Sequence, residues 1–209
     1  LALCLPARAA LDVGDAAPNF TVSAALGGKV FQYTLSEHLA KGPVVLYFFP
    51  AAFSPGCSVE AHEFAEATDK FAALGATVIG ISTDDIETQV KFSMQACQGK
   101  FAVASDSGKT VIKSYDAAMM ALPDYANRVS YVIAPDNAIV YYYQSLNPSK
   151  HVENTLTALR DWEELAANGV SVRLAVNTPV SALTKLPIAT MLREDRPRSA
   201  TPSNVPADT

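Results

Sequence analysis

The chain is poor in the residues that build cross-linked or metal-held folds. Among 209 residues only Cys4, Cys57 and Cys97 are cysteine, and only His38, His62 and His151 are histidine. Three thiols so far apart make no disulfide scaffold, and none stands in a C-x-x-C pair or a metal-finger spacing. Charge is scarce as well. Asp, Glu, Lys and Arg make up 18% of the chain, with 16 basic against 21 acidic side chains and a net charge of −5. The basic residues do not cluster, which argues against nucleic acid as a main partner. No apolar run approaches the roughly 20 residues needed to cross a bilayer, so no membrane partner is expected. Hydrophobic residues make up 49% of the chain, enough for a real core and unlike a disordered composition.

The two ends differ from the middle. LALCLPARAA, residues 1–10, is apolar and then carries Ala7-Arg8-Ala9, the A-x-A pattern in which secretory signals end. Residues 1–10 are therefore expected to be a signal remnant, which would make the protein periplasmic or secreted. The alternative is an apolar N-terminal arm on a cytoplasmic protein. Cys4 follows Leu3, which is not small, so it is not in a lipid-attachment context. Residues 169–209 lose any clear period, and REDRPRSATPSNVPADT is polar and Pro-rich, the composition of a disordered extension.

Residues 11–168 read as one domain of alternating strands and helices. NFTVSAALGGKVFQYTLSE suggests two short strands around a Gly27-Gly28 turn. PVVLYFF, residues 43–49, is a continuous β-branched and aromatic run, as for a strand buried on both faces. A helix follows over 57–74, with Cys57, Ala61, Phe64, Thr68 and Phe71 on one stripe and Glu60, Glu63, Glu66 and Asp69 mostly elsewhere. GATVIGIST is the next strand, and Ser82-Thr83-Asp84-Asp85 offers an N-cap for a helix over 85–98. FAVASD reads as a short strand and GKTVIKSYDA as a helical turn. RVSYVIAPDNAIVYYYQ reads as a hairpin around Pro135-Asp136-Asn137, before a helix over 149–167 that ends ahead of Gly169. This order predicts an α/β fold, a thioredoxin-like three-layer sandwich with a central mixed β-sheet, an N-terminal β-hairpin and a C-terminal extension.

One stretch carries chemistry. In YFFPAAFSPGCSVEAHEFAEA the apolar strand stops at Pro50, and Cys57 appears where a helix begins. Unpaired N–H groups and the macrodipole at a helix start both favour thiolate over thiol. A free cysteine is about 3% ionised at neutral pH, so ionisation alone supplies at most about thirtyfold, and less once the lower intrinsic nucleophilicity of a more acidic thiol is counted. The loop must also orient a substrate and stabilise a leaving oxygen. Read without further context, Cys57 could equally be a small buried hydrophobe, Ser54 a turn hydroxyl, and Pro50 and Pro55 simple helix-entry residues.

Pro50, Ser54 and Cys57 reproduce P-x-x-x-(T/S)-x-x-C, and the sequence resembles the peroxiredoxins that carry this motif. FFPAAFSPGC resembles the subgroup called peroxiredoxin Q, or bacterioferritin comigratory protein, in the AhpC/TSA superfamily. VGDAAPNFTV, LGATVIGISTDD, RVSYVIAPDNAIVYYY and HVENTLTALR extend the likeness over about residues 11–165. The resemblance implies a thiol-dependent peroxidase acting on hydrogen peroxide or small organic hydroperoxides, with no cofactor and no metal. It makes Cys57 the peroxidatic nucleophile, oxidised to a sulfenic acid. Ser54 would hydrogen-bond the peroxide, Pro50 would shield the thiolate, and Arg128 would stabilise negative charge on sulfur and on the leaving oxygen. Glu60 matches a family position around the site; alone it reads as a first-turn acid suited to the helix dipole.

The pattern also departs from the family. Many peroxiredoxin Q chains carry a resolving cysteine five residues after the first, where this chain has His62. Five helical residues rotate about 500°, so His62 is expected to face away from Cys57 and form no dyad with it. Other members place that cysteine on the helix after the second core strand, which implies Cys97 as the resolving residue. Ile86, Val90, Met94 and Cys97 also form one helical stripe, so Cys97 could be a small core residue instead. A Cys57–Cys97 bridge would close a loop of about 40 residues, worth about 4 kcal/mol against the unfolded chain, and would require the first turn around Cys57 to unwind. The expected reductant is thioredoxin or a similar dithiol, and a monomer fits the subgroup. A one-cysteine enzyme recycled by an external thiol and a catalytically silent thioredoxin-like binding module are the alternatives.

Overall fold

The computed structural model describes residues 10–168. Of the segment 1–10 read as a signal remnant, residues 1–9 lie outside the described residues, as does the whole extension 169–209. Ala10 is described, and it packs with Leu11 against the core.

Along the chain the elements are β1 (Thr21–Leu26), β2 (Lys29–Thr34), α1 (Leu35–Leu39), β3 (Val44–Phe48), α2 (Pro55–Ala73) and β4 (Thr77–Ser82). They continue with α3 (Ile86–Gln95), β5 (Ala102–Ser105), α4 (Thr110–Ser114), β6 (Val129–Ile133), β7 (Ile139–Gln144) and α5 (His151–Ala167). The strands form one seven-stranded sheet in the order β2-β1-β5-β4-β3-β6-β7. β3, β4 and β5 run parallel, while the outer pairings are antiparallel. The sheet is mixed, as expected. The hairpin between β1 and β2 turns through Gly27 (φ +55°) and Gly28 (φ +81°), conformations that glycine adopts without a Cβ penalty.

β3 is apolar throughout because it feeds two cores. Val44, Leu46 and Phe48 join a cluster with Leu35 and Leu39 of α1 and Val111 and Ile112 of α4. Val45, Tyr47 and Phe49 join another with Ala61, Phe64 and Phe71 of α2 and Leu156 and Leu159 of α5. Alternate residues therefore face opposite helical layers, which is the three-layer sandwich. Tyr47 stacks on Phe64 with ring centroids 4.4 Å apart. Its ring lies over Gly80 of β4, where a Cβ would fall 2.6 Å from the phenol, so only glycine fits there.

Three local expectations are corrected. α1 is a short helix that the sequence pattern did not suggest. α2 begins at Pro55, two residues earlier than expected, because proline's missing N–H costs nothing in a first helical turn. On α3 the expected stripe is not the buried one: Met94 is exposed, and the inward residues are Gln89, Phe92 and Ser93. Gln89 donates to Ser82 Oγ at 2.7 Å, and Ser93 Oγ accepts from the Gly28 N–H at 3.0 Å. Hydrogen-bonded polar side chains thus hold the face that the apolar residues were expected to hold, although Gln89 Oε1 is buried with no hydrogen-bond partner among the described residues.

The topology brings three chain segments to one end of the sheet. The loop 49–54 leaves the carboxyl end of β3, and 83–85 leaves the same end of the parallel β4. Residue 128 enters at that end too, because Phe48 pairs with Val129 in the antiparallel β3–β6 ladder. Crevices outside the carboxyl ends of such strands are where α/β folds place ligands.

Candidate active site

Cys57 is buried in the first turn of α2. Ser54 is the N-cap residue, in extended conformation, and its carbonyl accepts the first helical bond, from the Ser58 N–H at 2.9 Å. The amides of Gly56 and Cys57 precede that bond and so lack an i−4 partner, which leaves positive potential around the sulfur. Arg128 adds a full charge. Its Nη2 donates to Cys57 Sγ at 3.3 Å, its Nε donates to the Leu146 carbonyl at 3.0 Å, and its Nη1 donates to Glu60 Oε2. With each nitrogen occupied, the guanidinium is fixed in plane and position. Gly56 lets it approach, since a Cβ there would stand 3.2 Å from Nη2.

Glu60 is not the first-turn acid that the sequence suggested. The first turn of α2 holds no acid, and Glu60 lies in the second turn, fully buried. It stands three residues after Cys57, so it shares the inward face with the thiol rather than facing solvent. Burial pushes its carboxyl up to about 8, with the Arg128 guanidinium pulling the other way.

The loop before Cys57 is held from the neighbouring strand end. Asp84 Oδ2 accepts from the Ala52 N–H at 2.7 Å and from Ser82 Oγ at 2.6 Å. Phe53 has a positive φ of 63°, uncommon for a non-glycine residue, and its ring meets Phe92 edge-on at 5.2 Å. Pro50 is half-buried at the loop's start. Ser54 is half-buried, and its Oγ donates to the Ala51 carbonyl at 3.0 Å, which leaves the oxygen free to accept. Replacing Asp84 by Ala removes the acceptor from Ala52, a loss of about 1.5–3 kcal/mol for a bond to a charged group. The expected result is exchange of the Ala52 amide faster by at least about tenfold, read by hydrogen-exchange NMR.

Cys97 lies beyond the C-cap of α3, Ala96, rather than on the helix. It is wholly buried in the same apolar cluster as Cys57, and burial pushes its thiol up. Its N–H donates to the Phe92 carbonyl at 3.2 Å, and the Phe92 ring contacts Phe49 and Phe53. Both cysteines are free thiols. His62 is exposed and paired through Nδ1 with Gln98 Nε2 at 2.8 Å, away from Cys57. Among the described residues no three His, Cys, Asp or Glu side chains gather in a metal-holding group, and no helix is long and apolar enough to cross a membrane.

Two residues around the site were missed in the sequence. Asp84 entered only as part of an N-cap string, although Asp85 is the cap, accepting from Thr88. His151 is buried at the start of α5, with Nδ1 3.5 Å from Glu60 Oε1. Its i, i+4, i+8 spacing with Thr155 and Leu159 was the signal that placed it on the inward face.

The AhpC/TSA family model matches residues 13–142. The chain belongs to the AhpC/TSA family, in its peroxiredoxin Q branch. The chloroplastic peroxiredoxin Q of rice (Oryza sativa subsp. japonica) is 35% identical over 148 residues, which cover 70% of this chain and 66% of the relative. That of Sedum lineare is 32% identical over 148 residues, 70% of this chain and 77% of the relative. Among solved structures, peroxidoxin BcpB from Mycobacterium tuberculosis superimposes with a TM-score of 0.64 at 30% identity, covering 71% of this chain and 96% of BcpB. The chain therefore spans just under two thirds of the rice protein. For this peroxiredoxin Q relative the fold is the thioredoxin-like sandwich that the order of strands and helices implied.

Proposed function

We propose that the protein is a thiol-dependent peroxidase that reduces hydrogen peroxide and small organic hydroperoxides through Cys57. The observation that carries this reading is the Arg128 Nη2 hydrogen bond to Cys57 Sγ at 3.3 Å, inside a buried helix start. The thiolate attacks the terminal peroxide oxygen; an S–O bond forms as the O–O bond breaks. Sulfur is oxidised by two electrons to a sulfenic acid, and the peroxide is reduced, its leaving oxygen taking a proton to depart as water or alcohol. Arg128 stabilises negative charge that moves from sulfur to that oxygen. Ser54 Oγ, whose own proton goes to the Ala51 carbonyl, accepts from the hydroperoxide O–H, and Pro50 keeps bulk water off the sulfur.

In the second half-reaction Cys97 attacks the sulfenic sulfur, an S–S bond forms and water leaves. Thioredoxin or a similar dithiol then reduces the disulfide, and the working unit is a monomer. The contact of Phe92 with both the Cys57 loop and the Cys97 backbone supports a route between the thiols. The raised, buried state of Cys97 keeps it from competing for peroxide at rest. That same burial favours a second reading, in which an external thiol attacks the sulfenic acid directly. One equivalent of hydrogen peroxide followed by alkylation and peptide mass spectrometry separates the two. The expected product is a Cys57–Cys97 disulfide; a persistent Cys57 sulfenic acid with Cys97 still alkylatable would establish the external route.

A further inference from the structure

Behind Glu60 lies a buried histidine that the reaction above does not use. His151 is wholly buried at the start of α5. Its Nε2 stands 3.0 Å from the Ser145 carbonyl oxygen, a group that only accepts, so Nε2 carries a proton. Its Nδ1 lies 2.8 Å from Ser130 Oγ and 3.5 Å from Glu60 Oε1. That carboxyl oxygen has no hydrogen-bond partner among the described residues, whereas Oε2 accepts from Arg128. A neutral imidazole protonated on Nε2 presents a lone pair at Nδ1. An ionised Glu60 would then set lone pair against lone pair in a dry site, an expensive arrangement. One proton between Oε1 and Nδ1 removes the conflict, whichever atom holds it. The Ser130 hydroxyl can donate to Nδ1 or accept from it and so suits either case.

We propose that Glu60 and His151 share one proton, and that this proton reserves the Arg128 guanidinium for the Cys57 thiolate. With the proton in place the pair is neutral as a unit, and the single positive charge of Arg128 faces one anion, at Sγ. Without it the pair carries a negative charge, and the same cation serves two anions. His151 touches neither sulfur nor peroxide, so it is a positioning residue acting through Glu60. Burial works in the same sense, pushing Glu60 up to about 8 and His151 down to about 4, which seats the proton on the carboxyl near neutral pH. Few other charges reach the imidazole. Glu60 faces it from α2 and Arg128 from the start of β6, and Tyr143 of β7 meets the ring edge-on at 4.8 Å. On α5 itself, Lys150 and Glu153 pair with each other at the surface.

The inference rests on the reading of Cys57 as the reactive thiol, but its test uses iodoacetamide rather than peroxide, so the two fail separately. In the full chain, the alkylation rate of Cys57 is followed from about pH 5 to 10, with Cys57 resolved from Cys97 by peptide mass spectrometry. In His151→Gln the amide can donate to Oε1 without a titrating proton, which favours the ionised carboxylate against the effect of burial and draws Arg128 toward Glu60. The midpoint of the rate profile is expected to rise by about one pH unit, making alkylation about tenfold slower on the acid side. In Glu60→Gln the midpoint is expected no higher than in wild type, and adding His151→Gln to it shifts the midpoint no further. An equal shift in both backgrounds, or none in either, would overturn the proposal. A measurement without variants complements this one. At neutral pH the wild-type chain should show a buried protonated carboxyl by infrared difference spectroscopy and a bare Nδ1 by nitrogen-15 NMR. Finding carboxylate and bare imidazole together would overturn it equally.

Discussion

Cys57→Ser is expected to abolish peroxide turnover while leaving the fold in place. A serine hydroxyl at this position cannot ionise near neutral pH, and its oxygen cannot be oxidised by a peroxide as sulfur can. Loss of a nucleophile that acts together with its surroundings removes at least about 10⁴ in rate. The structural cost should stay small, because serine is close in size and can still accept from Arg128 Nη2 where Sγ does now. A change in stability within about 1–2 kcal/mol is expected from thermal unfolding, which is ordinary for a single substitution. Activity carried by any other group would survive the change, so a variant retaining more than a trace of turnover would remove Cys57 from the centre of the mechanism.

Arg128→Met should damage both catalysis and stability, and its stability defect should depend on pH. The guanidinium is the common partner of Cys57 Sγ, Glu60 Oε2 and the Leu146 carbonyl. Removing a fixed donor that meets developing negative charge costs about 10²–10³ in rate. Breaking a buried ion pair from one side costs about 3–5 kcal/mol when the remaining charge cannot be neutralised. Glu60 can be neutralised, and the sign follows from its shift. Its folded value is raised from 4.5 to about 8, so the folded state binds a proton that the unfolded state has released across that window. Stability is therefore fully present below pH 4.5 and falls as the pH rises through about 8. In Arg128→Met nothing opposes burial, so the decline should continue to higher pH than in wild type; urea midpoints across and above this range measure it. Arg128→Lys should not restore either property, since one ammonium cannot hold three acceptors in a fixed plane.

Much of this was legible in the residues. The run 43–49 declared a strand buried on both faces because both faces of β3 are dry, and no polar alternation was available to suggest otherwise. The position of Cys57 at a helix mouth followed from Pro55, Gly56 and the stripe beyond. Arg128 was indicated only by resemblance, since its contact with Cys57 spans 71 residues and depends on the β3–β6 register. Glu60 was misplaced because a carboxylate on a helix ordinarily belongs to the solvent face. What keeps it inside is a guanidinium 68 residues away, which no local period reveals. α3 misled in the opposite direction: Gln89 and Ser93 point inward because the β4 end and the β1–β2 turn supply hydrogen bonds to them. The seat of Cys97 beyond the helix end likewise reflects where α3 stops, which is less clear in a sequence than where it starts.

The most direct test is the single-turnover reaction of the reduced chain with hydrogen peroxide at neutral pH, with the sulfenic acid trapped by dimedone and located by mass spectrometry. Fixed positive charge at the sulfur should make the reaction at least about a hundredfold faster than that of free cysteine, with the adduct on Cys57. A rate no faster than free cysteine, or an adduct confined to Cys97, would contradict it.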